Sequence, residues 1–368
     1  MELLSIGAFA ALTRLSPKAL RLYADLGLLP PAQVDPVTGY RFYTPAQLER
    51  ARLVAWLRRL GMPLATIRTV CDLNRKDAAA AISRFWAQVE AETAARRDLT
   101  GFLISELSDD RSGETDHRAV RLGIRYAVRS DTGLVRRSNQ DAAYAGAHLL
   151  AVADGFGADG ERAGTAAIDA LRTLAVEQPI SAGDLLNALQ DAVGRANHAI
   201  GELAEPAADE FELPTGTTLT AMLWAGSRVA LVHIGDCRVY LLRGGQLFQI
   251  THDHTFVQAM VDDGRLSPAE ATSHPQRAML LRALDGQAGP AADVRLHEAR
   301  PDDRYLLCSD GLSAVVAATD LARVIGTVAD PDRAVGELIA LAWAAGAPDN
   351  VSCVIADVFA SEPRQTGC

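Results

Sequence analysis

Five short blocks in the last two-thirds of the chain carry an aspartate beside a glycine or an amide: Asn139-Gln140-Asp141, Ala153-Asp154-Gly155, Gly235-Asp236, Ser309-Asp310-Gly311 and Asp349-Asn350. Mg²⁺ and Mn²⁺ prefer carboxylate, carbonyl and water oxygens, and they keep waters that can attack a phosphorus centre. The set therefore predicts metal-dependent phosphoester hydrolysis. Any one block alone is more simply a turn; the inference rests on all five together. Glycine after Asp154 and after Asp310 lets the backbone approach an ion closely.

Such residues need strands whose ends converge. Apolar runs at 147–153, 218–224, 229–234, 239–242, 305–308 and 351–358 predict strands, and alanine-rich stretches at about 162–176 and 182–203 predict helices. Strand clusters with segregated helices indicate an α+β domain. The aspartates fall where the strands end, so loops would gather them into one cleft. His252 and His254 resemble a metal pair but have no third ligand nearby, which favours a structural role. Asp262, Asp263 and Glu270 read as solvated charges of a flap that follows a Gly244-Gly245 hairpin.

The first third of the chain has another character. Of 368 residues, those at 1–107 hold 14 Lys+Arg and 10 Asp+Glu, a balance of +4, whereas the remainder stands at −14 within a net charge of −10. A basic head on an acidic body fits nucleic acid at one end and cations at the other. The length suggests two or three units. The five cysteines are scattered without C-x-x-C spacing and read as reduced thiols. The first residues lack a secretory pattern, and no run approaches the roughly 18 apolar residues of a membrane span, so a cytoplasmic, membrane-free protein is expected.

In the head, Ser5 can cap a short helix, and Ser16-Pro17 opens a second after a turn, which is helix-turn-helix spacing. Lys18, Arg21 and Tyr23 are expected to face outward from that helix, with Ala19, Leu20 and Leu22 on its packing face, and its N-terminal end would enter a major groove. Asp35-Pro36-Val37-Thr38-Gly39 then turns into Tyr40-Arg41-Phe42-Tyr43, an arm whose Tyr40, Arg41 and Tyr43 could reach phosphates and a minor groove. Residues 78–107 carry an imperfect apolar stripe through Ile82, Phe85, Val89, Arg96, Leu99, Leu103 and Leu107.

The strings Ser16-Pro17-Lys18-Ala19-Leu20-Arg21-Leu22-Tyr23, Gly27-Leu28-Leu29-Pro30, Thr38-Gly39-Tyr40-Arg41-Phe42-Tyr43 and Leu57-Arg58-Arg59-Leu60-Gly61-Met62-Pro63-Leu64 resemble the MerR family of transcription regulators. The resemblance implies a homodimer through residues 77–107 bound to double-stranded promoter DNA by Ser16, Lys18, Arg21, Tyr23, Tyr40, Arg41 and Tyr43. Farther along, Arg136-x-x-Asn139-Gln140-Asp141, Ala153-Asp154-Gly155, Gly216-Thr217-Thr218, Gly235-Asp236-Cys237-Arg238, Thr251-x-Asp253-His254, Ser309-Asp310-Gly311-Leu312 and Asp349-Asn350-Val351-Ser352 resemble the protein phosphatase 2C family, in family order.

This second resemblance implies two Mn²⁺ or Mg²⁺ ions bridged by Asp154, with the Gly155 carbonyl, Asp141, Asp310 and Asp349 completing the pair. It further implies a weaker third ion on Asp236 and Asp310, and Arg136 gripping the substrate phosphate. Two departures stand out: Gln140 where the family more often has Glu, and Phe156-Gly157-Ala158-Asp159-Gly160-Glu161 after the Asp-Gly pair. Phe156 also stands where some relatives carry a proton-donating His.

The expected architecture is multidomain. An N-terminal all-α winged helix-turn-helix occupies 1–76 and a long dimerisation helix 77–107. A linker at 108–120 leads to an α+β domain, a central β-sandwich flanked by helices, at 121–360, and a tail closes the chain at 361–368. The expected function is a DNA-binding regulator carrying a metal-dependent serine/threonine phosphoprotein phosphatase. Two alternatives remain open: a MerR-like regulator with a weakly active or inactive sensor domain, and a soluble phosphatase whose head only dimerises or docks.

Overall fold

In the computed structural model of the chain, residues 3–13, 15–107, 121–176, 182–203, 214–225, 228–287 and 292–361 are described. The expected linker lies outside the described residues, as does the expected tail apart from Ser361. The chain divides into two compact units, Met1–Ala87 with Phe256–Met279, and Gln88–Thr255 with Leu280–Cys368.

The first unit begins with β1 (Leu4–Ser5), α1 (Ile6–Thr13) and α2 (Pro17–Asp25), then β2 (Gln33–Val34), β3 (Arg41–Tyr43), α3 (Leu48–Arg59) and α4 (Leu64–Asp72). The three short strands form one antiparallel sheet in the order β1-β3-β2. Ser16 caps α2 through its Oγ, which accepts the Ala19 N–H at 3.1 Å, and Pro17 supplies a preset φ at the first turn. A single core of Phe9, Leu20, Leu28, Leu29, Tyr43, Val54, Leu57, Met62 and Ile67 ties helices and sheet together. Leu20 and Tyr23, three residues apart, share the inner face of α2. The same periodicity turns Leu22 outward, contrary to the expectation that it packs, and leaves it 48% exposed.

The long helix α5 (Arg75–Leu107) is present. Ile82 and Phe85, expected in a dimer stripe, are partly buried against the head core. The side chains of Arg96, Leu99, Leu103 and Leu107 lie outside the described residues. Also in the first unit are α8 (Phe256–Asp262) and α9 (Pro268–Thr272), the latter opened by a Ser267/Glu270 capping box.

In the second unit, chain order runs β4 (Arg121–Asp131), β5 (Asp141–Ala145), β6 (Leu149–Phe156), α6 (Gly160–Val176), α7 (Ala182–Leu203), β7 (Gly216–Thr217), β8 (Leu219–Ala225), β9 (Arg228–Ile234), β10 (Arg238–Arg243) and β11 (Gln246–Gln249). It continues through β12 (Asp293–Glu298), β13 (Arg304–Cys308), α10 (Asp310–Ser313), α11 (Ala318–Thr327), α12 (Pro331–Ala344) and β14 (Val351–Ser361). One sheet has the order β11-β10-β13-β14-β4 and the other β12-β9-β8-β6-β5.

Strand alternation builds the layers. Leu150 and Val152 of β6 meet Leu307 and Tyr305 of β13 and Val354 and Ala356 of β14 in a core between the sheets. The intervening Leu149, Ala151 and Ala153 face α6 and α7, while Leu306, Cys308, Cys353 and Ile355 face α10, α11 and α12. The result is a β-sandwich with helices on both outer faces, as expected. Among the described residues no helix is long and apolar enough to cross a membrane.

Candidate active site

The aspartates were expected in loops at strand ends, but the first two sit inside a sheet. β6 continues through Asp154 and Gly155 to Phe156, because Gly155 and Phe156 pair with Thr217 and Gly216 of β7. Asp154 is thereby the cross-strand partner of Asp141 on β5. The Asp154 backbone is fixed on both sides: its N–H donates to Thr218 Oγ1 at 3.0 Å, and its carbonyl accepts from Thr218 N at 2.9 Å and Thr217 Oγ1 at 3.0 Å. Gly155 is required by space: a Cβ there would lie 2.0 Å from the Gly160 carbonyl oxygen.

The remaining carboxylates arrive from the other sheet and from a tight turn. Ser309 donates its hydroxyl to Asp141 Oδ2 at 2.7 Å and accepts the Ser352 N–H at 3.0 Å, so β13, β14 and β5 are joined beside Asp310. Asp236 follows Gly235, whose φ of 105° and close approach to Thr218 exclude a side chain. His254 holds this turn twice: its N–H donates to the Gly235 carbonyl at 2.8 Å, and its Nδ1 accepts the Gly235 N–H at 3.2 Å. That Nδ1 lone pair is spent on the backbone, consistent with the structural role expected for His254.

Asp349 accepts from Arg136 Nη2 at 2.7 Å, and Arg136 remains half-exposed. The next residue, Asn350, is buried and has the role that sequence reasoning missed. Its Nδ2 donates to the Thr132 and Ser138 carbonyls, both at 2.9 Å, and its Oδ1 accepts the Gln140 N–H at 2.9 Å. It therefore pins both ends of the loop that carries Arg136. Gln140 answers one of the sequence departures, since its Nε2 donates to the Gly157 carbonyl at 2.8 Å, a bond that a glutamate could not make when ionised.

The electrostatics call for cations. Burial pushes the Asp141 carboxyl up to about 7, against hydrogen bonds from Ser309 and Ser352 and with the charges of Asp310 and Asp349. Asp154 is held well above the usual carboxylate range by burial, then by the charges of Asp141, Asp310 and Asp236. Asp236 is raised by burial and by Asp310, and Asp310 by burial despite its hydrogen bond with Asp154. Asp141 Oδ1 is buried without a hydrogen-bond partner. Clustered, self-repelling carboxylates with an unpartnered oxygen and a glycine-lined approach fit hard divalent ions.

On the head, Lys18 and Arg21 are exposed and Tyr40 is 61% exposed, as a nucleic-acid face requires. Several expected placements differ from the structure. Tyr43 is fully buried and stacked on Phe9 with centroids 4.5 Å apart, and Tyr23 is 7% exposed, so both rings belong to the core. Arg41 folds back on α2, donating to the Arg21 carbonyl at 3.0 Å and to Asp25 at 2.8 Å. Ser16 spends its hydroxyl oxygen on the cap. Glu270, read as a solvated charge, pairs with Arg68 at 2.7 Å.

Comparison with known proteins agrees with both halves. Residues 4–73 match the MerR HTH family regulatory proteins and residues 135–342 match protein phosphatase 2C. The serine/threonine protein phosphatase PstP of Mycobacterium tuberculosis is 50% identical over 250 residues, covering 67% of this chain and 47% of PstP, so the chain spans about half that relative's length. The serine/threonine phosphatase stp of Listeria monocytogenes is 30% identical over 240 residues, covering 62% of this chain and 94% of stp. A crystal structure of the PstP catalytic domain with two manganese ions is 47% identical, covers 65% of this chain and 99% of that one, and superposes with a TM-score of 0.59. With its aspartate blocks on the two sheets of such a sandwich, this chain belongs to the protein phosphatase 2C family and carries a MerR-type segment ahead of that domain.

Proposed function

We propose that this protein is a metal-dependent serine/threonine phosphoprotein phosphatase carried behind a DNA-binding head. The observation that supports the enzyme reading most is the Asp141, Asp154, Asp310 cluster, with its raised carboxyls and unpartnered Oδ1, beside an arginine at the protein surface. Asp141, Asp154, the Gly155 carbonyl, Asp310 and Asp349 would hold two Mn²⁺ or Mg²⁺ ions, and Asp236 with Asp310 a third. When bound, such ions supply Lewis-acid neutralisation of phosphate charge and an acidified water.

The chain's own groups then have definite tasks. Ser309 fixes Asp141 through Oδ2 and leaves Oδ1 available as a ligand atom. Burial and mutual repulsion hold the Asp154 and Asp310 carboxyls above the usual range, so both would have to ionise to act as ligands. Arg136 can exchange Asp349 for a phosphate and present two parallel N–H groups to it. Phe156 brings no acid to the position after Asp-Gly.

Hydrolysis of a phosphothreonine peptide with Mn²⁺, with chelator and by Asp310→Ala tests this reading. Turnover that needs Mn²⁺ and disappears in the variant is expected; equal turnover by Asp310→Ala would place the chemistry elsewhere.

For the head, exposed Lys18 and Arg21 on α2 support double-stranded DNA as partner, and the family match over residues 4–73 supports a regulatory role at a promoter; the long helix α5 would serve a homodimer through residues 77–107. Lys18→Ala with Arg21→Ala should weaken binding to DNA from its own upstream region and flatten the salt dependence by roughly one unit of slope per lost phosphate contact. An unchanged salt slope would rule out phosphate contacts by these residues.

A further inference from the structure

We infer that the excursion Phe256–Met279, although inserted in the phosphatase-like part of the sequence, is a docking surface for α4 of the head, and that this contact is linked to the turn carrying Asp236. Three observations carry the docking. The excursion groups with Met1–Ala87 rather than with the sandwich from which it departs. Glu270 Oε2 accepts from Ser267 N at 2.7 Å and Ser267 Oγ at 2.6 Å, so the capping box of α9 has already oriented the carboxylate that receives Arg68 Nη2 at 2.7 Å. The Gly264 backbone, at a φ of 74°, lies against the first turn of α4, where a Cβ would stand 3.1 Å from Leu64 Cβ.

The link to Asp236 runs through the stem of the excursion. Phe256 N–H donates to the Met279 carbonyl at 2.9 Å, closing the excursion at its base. Within the sandwich unit, Thr255 and Leu280 form an isolated antiparallel bridge, and Leu281 N–H donates to the His254 carbonyl at 2.8 Å. His254 is the residue that holds Gly235 by two hydrogen bonds. A shift of the stem therefore acts directly on the Gly235-Asp236 turn. Docked and released excursions are two states, and whatever binds α4 or its surroundings with different affinity in the two shifts their balance.

The test uses the full chain and needs no turnover, so its outcome is independent of the phosphatase reading. Arg68→Ala, Glu270→Gln and the double variant are compared by hydrogen exchange. Glu270→Gln keeps an acceptor for the capping box while removing the charge.

An exposed ion pair is a weak restraint, so each single variant should exchange about two- to five-fold faster over 256–279 and 64–72. The Ile234–Cys237 turn should also exchange faster, and β13 and β14 should be unchanged. The double variant should exchange no faster than the faster single, because both act on the one Arg68–Glu270 contact. Unchanged exchange over 256–279 in the singles, or additive effects in the double, overturns the docking. Faster exchange there with no change at 234–237 overturns the link to Asp236.

Discussion

Asn350→Ala tests whether a single buried amide builds the loop that carries Arg136. Three hydrogen bonds depend on it, two donated to the Thr132 and Ser138 carbonyls and one accepted from Gln140 N, and the residue is 5% exposed. At about 1 kcal/mol net each, their loss should destabilise the domain by about 3 kcal/mol. That leaves a typical domain folded, but lowers the melting temperature by about 6–12 °C for a domain of this size. Arg136 lies between the two released carbonyls, so kcat/KM for a phosphothreonine peptide should fall about ten-fold or more through misplacement of the guanidinium. Asn350→Asp keeps the acceptor for Gln140 but faces two carbonyls with an anion, and should be at least as damaging. Calorimetry and steady-state kinetics on both variants decide the matter. A melting temperature within about 2 °C of wild type, with kcat/KM within two-fold, would refute the argument that Asn350 organises the loop.

Further predictions follow from the carboxylate cluster and its surroundings. In chelator, a carboxyl raised from 3.8 to about 7 on folding stabilises the protein below about pH 4, and this stabilisation is lost as pH rises through about 7, on the order of 4 kcal/mol for Asp141. Urea midpoints at pH 5 and pH 8 should show the larger part of that loss, Asp141→Asn should flatten it, and Mn²⁺ should oppose it; a flat wild-type profile would contradict the cluster's self-repulsion. Arg136→Lys should raise KM for the phosphopeptide several-fold, since an ammonium cannot make two parallel bonds to phosphate; an unaltered KM would remove the clamp. Gln140→Glu, which replaces the donor to Gly157 by an acceptor, should cost about 1–3 kcal/mol in thermal denaturation; equal stability would show that this bond is dispensable.

Strand alternation and short aspartate blocks determined much of this protein in advance. Runs such as Leu149-Leu150-Ala151-Val152-Ala153 carry apolar residues at every position, which suits a strand covered on both faces, and the strands and two helices read from such runs are present. The aspartates were legible because hard-ion chemistry restricts residue type. Much less of the head's surface was legible. Tyr23, Tyr40, Arg41 and Tyr43 look equally suited to DNA in a one-dimensional string, and packing sends two rings into the core and one guanidinium back onto α2.

Long-range pairing decided the rest. That Asp141 and Asp154 face each other across two strands depends on register, which the β7 pairing extends to Phe156. Asn350 organises residues more than 200 positions away, and Arg68 meets Glu270 across a similar separation. A sequence states which groups can donate, accept or repel; only the folded backbone brings a given donor to a given acceptor, because register and burial depend on all the strands at once.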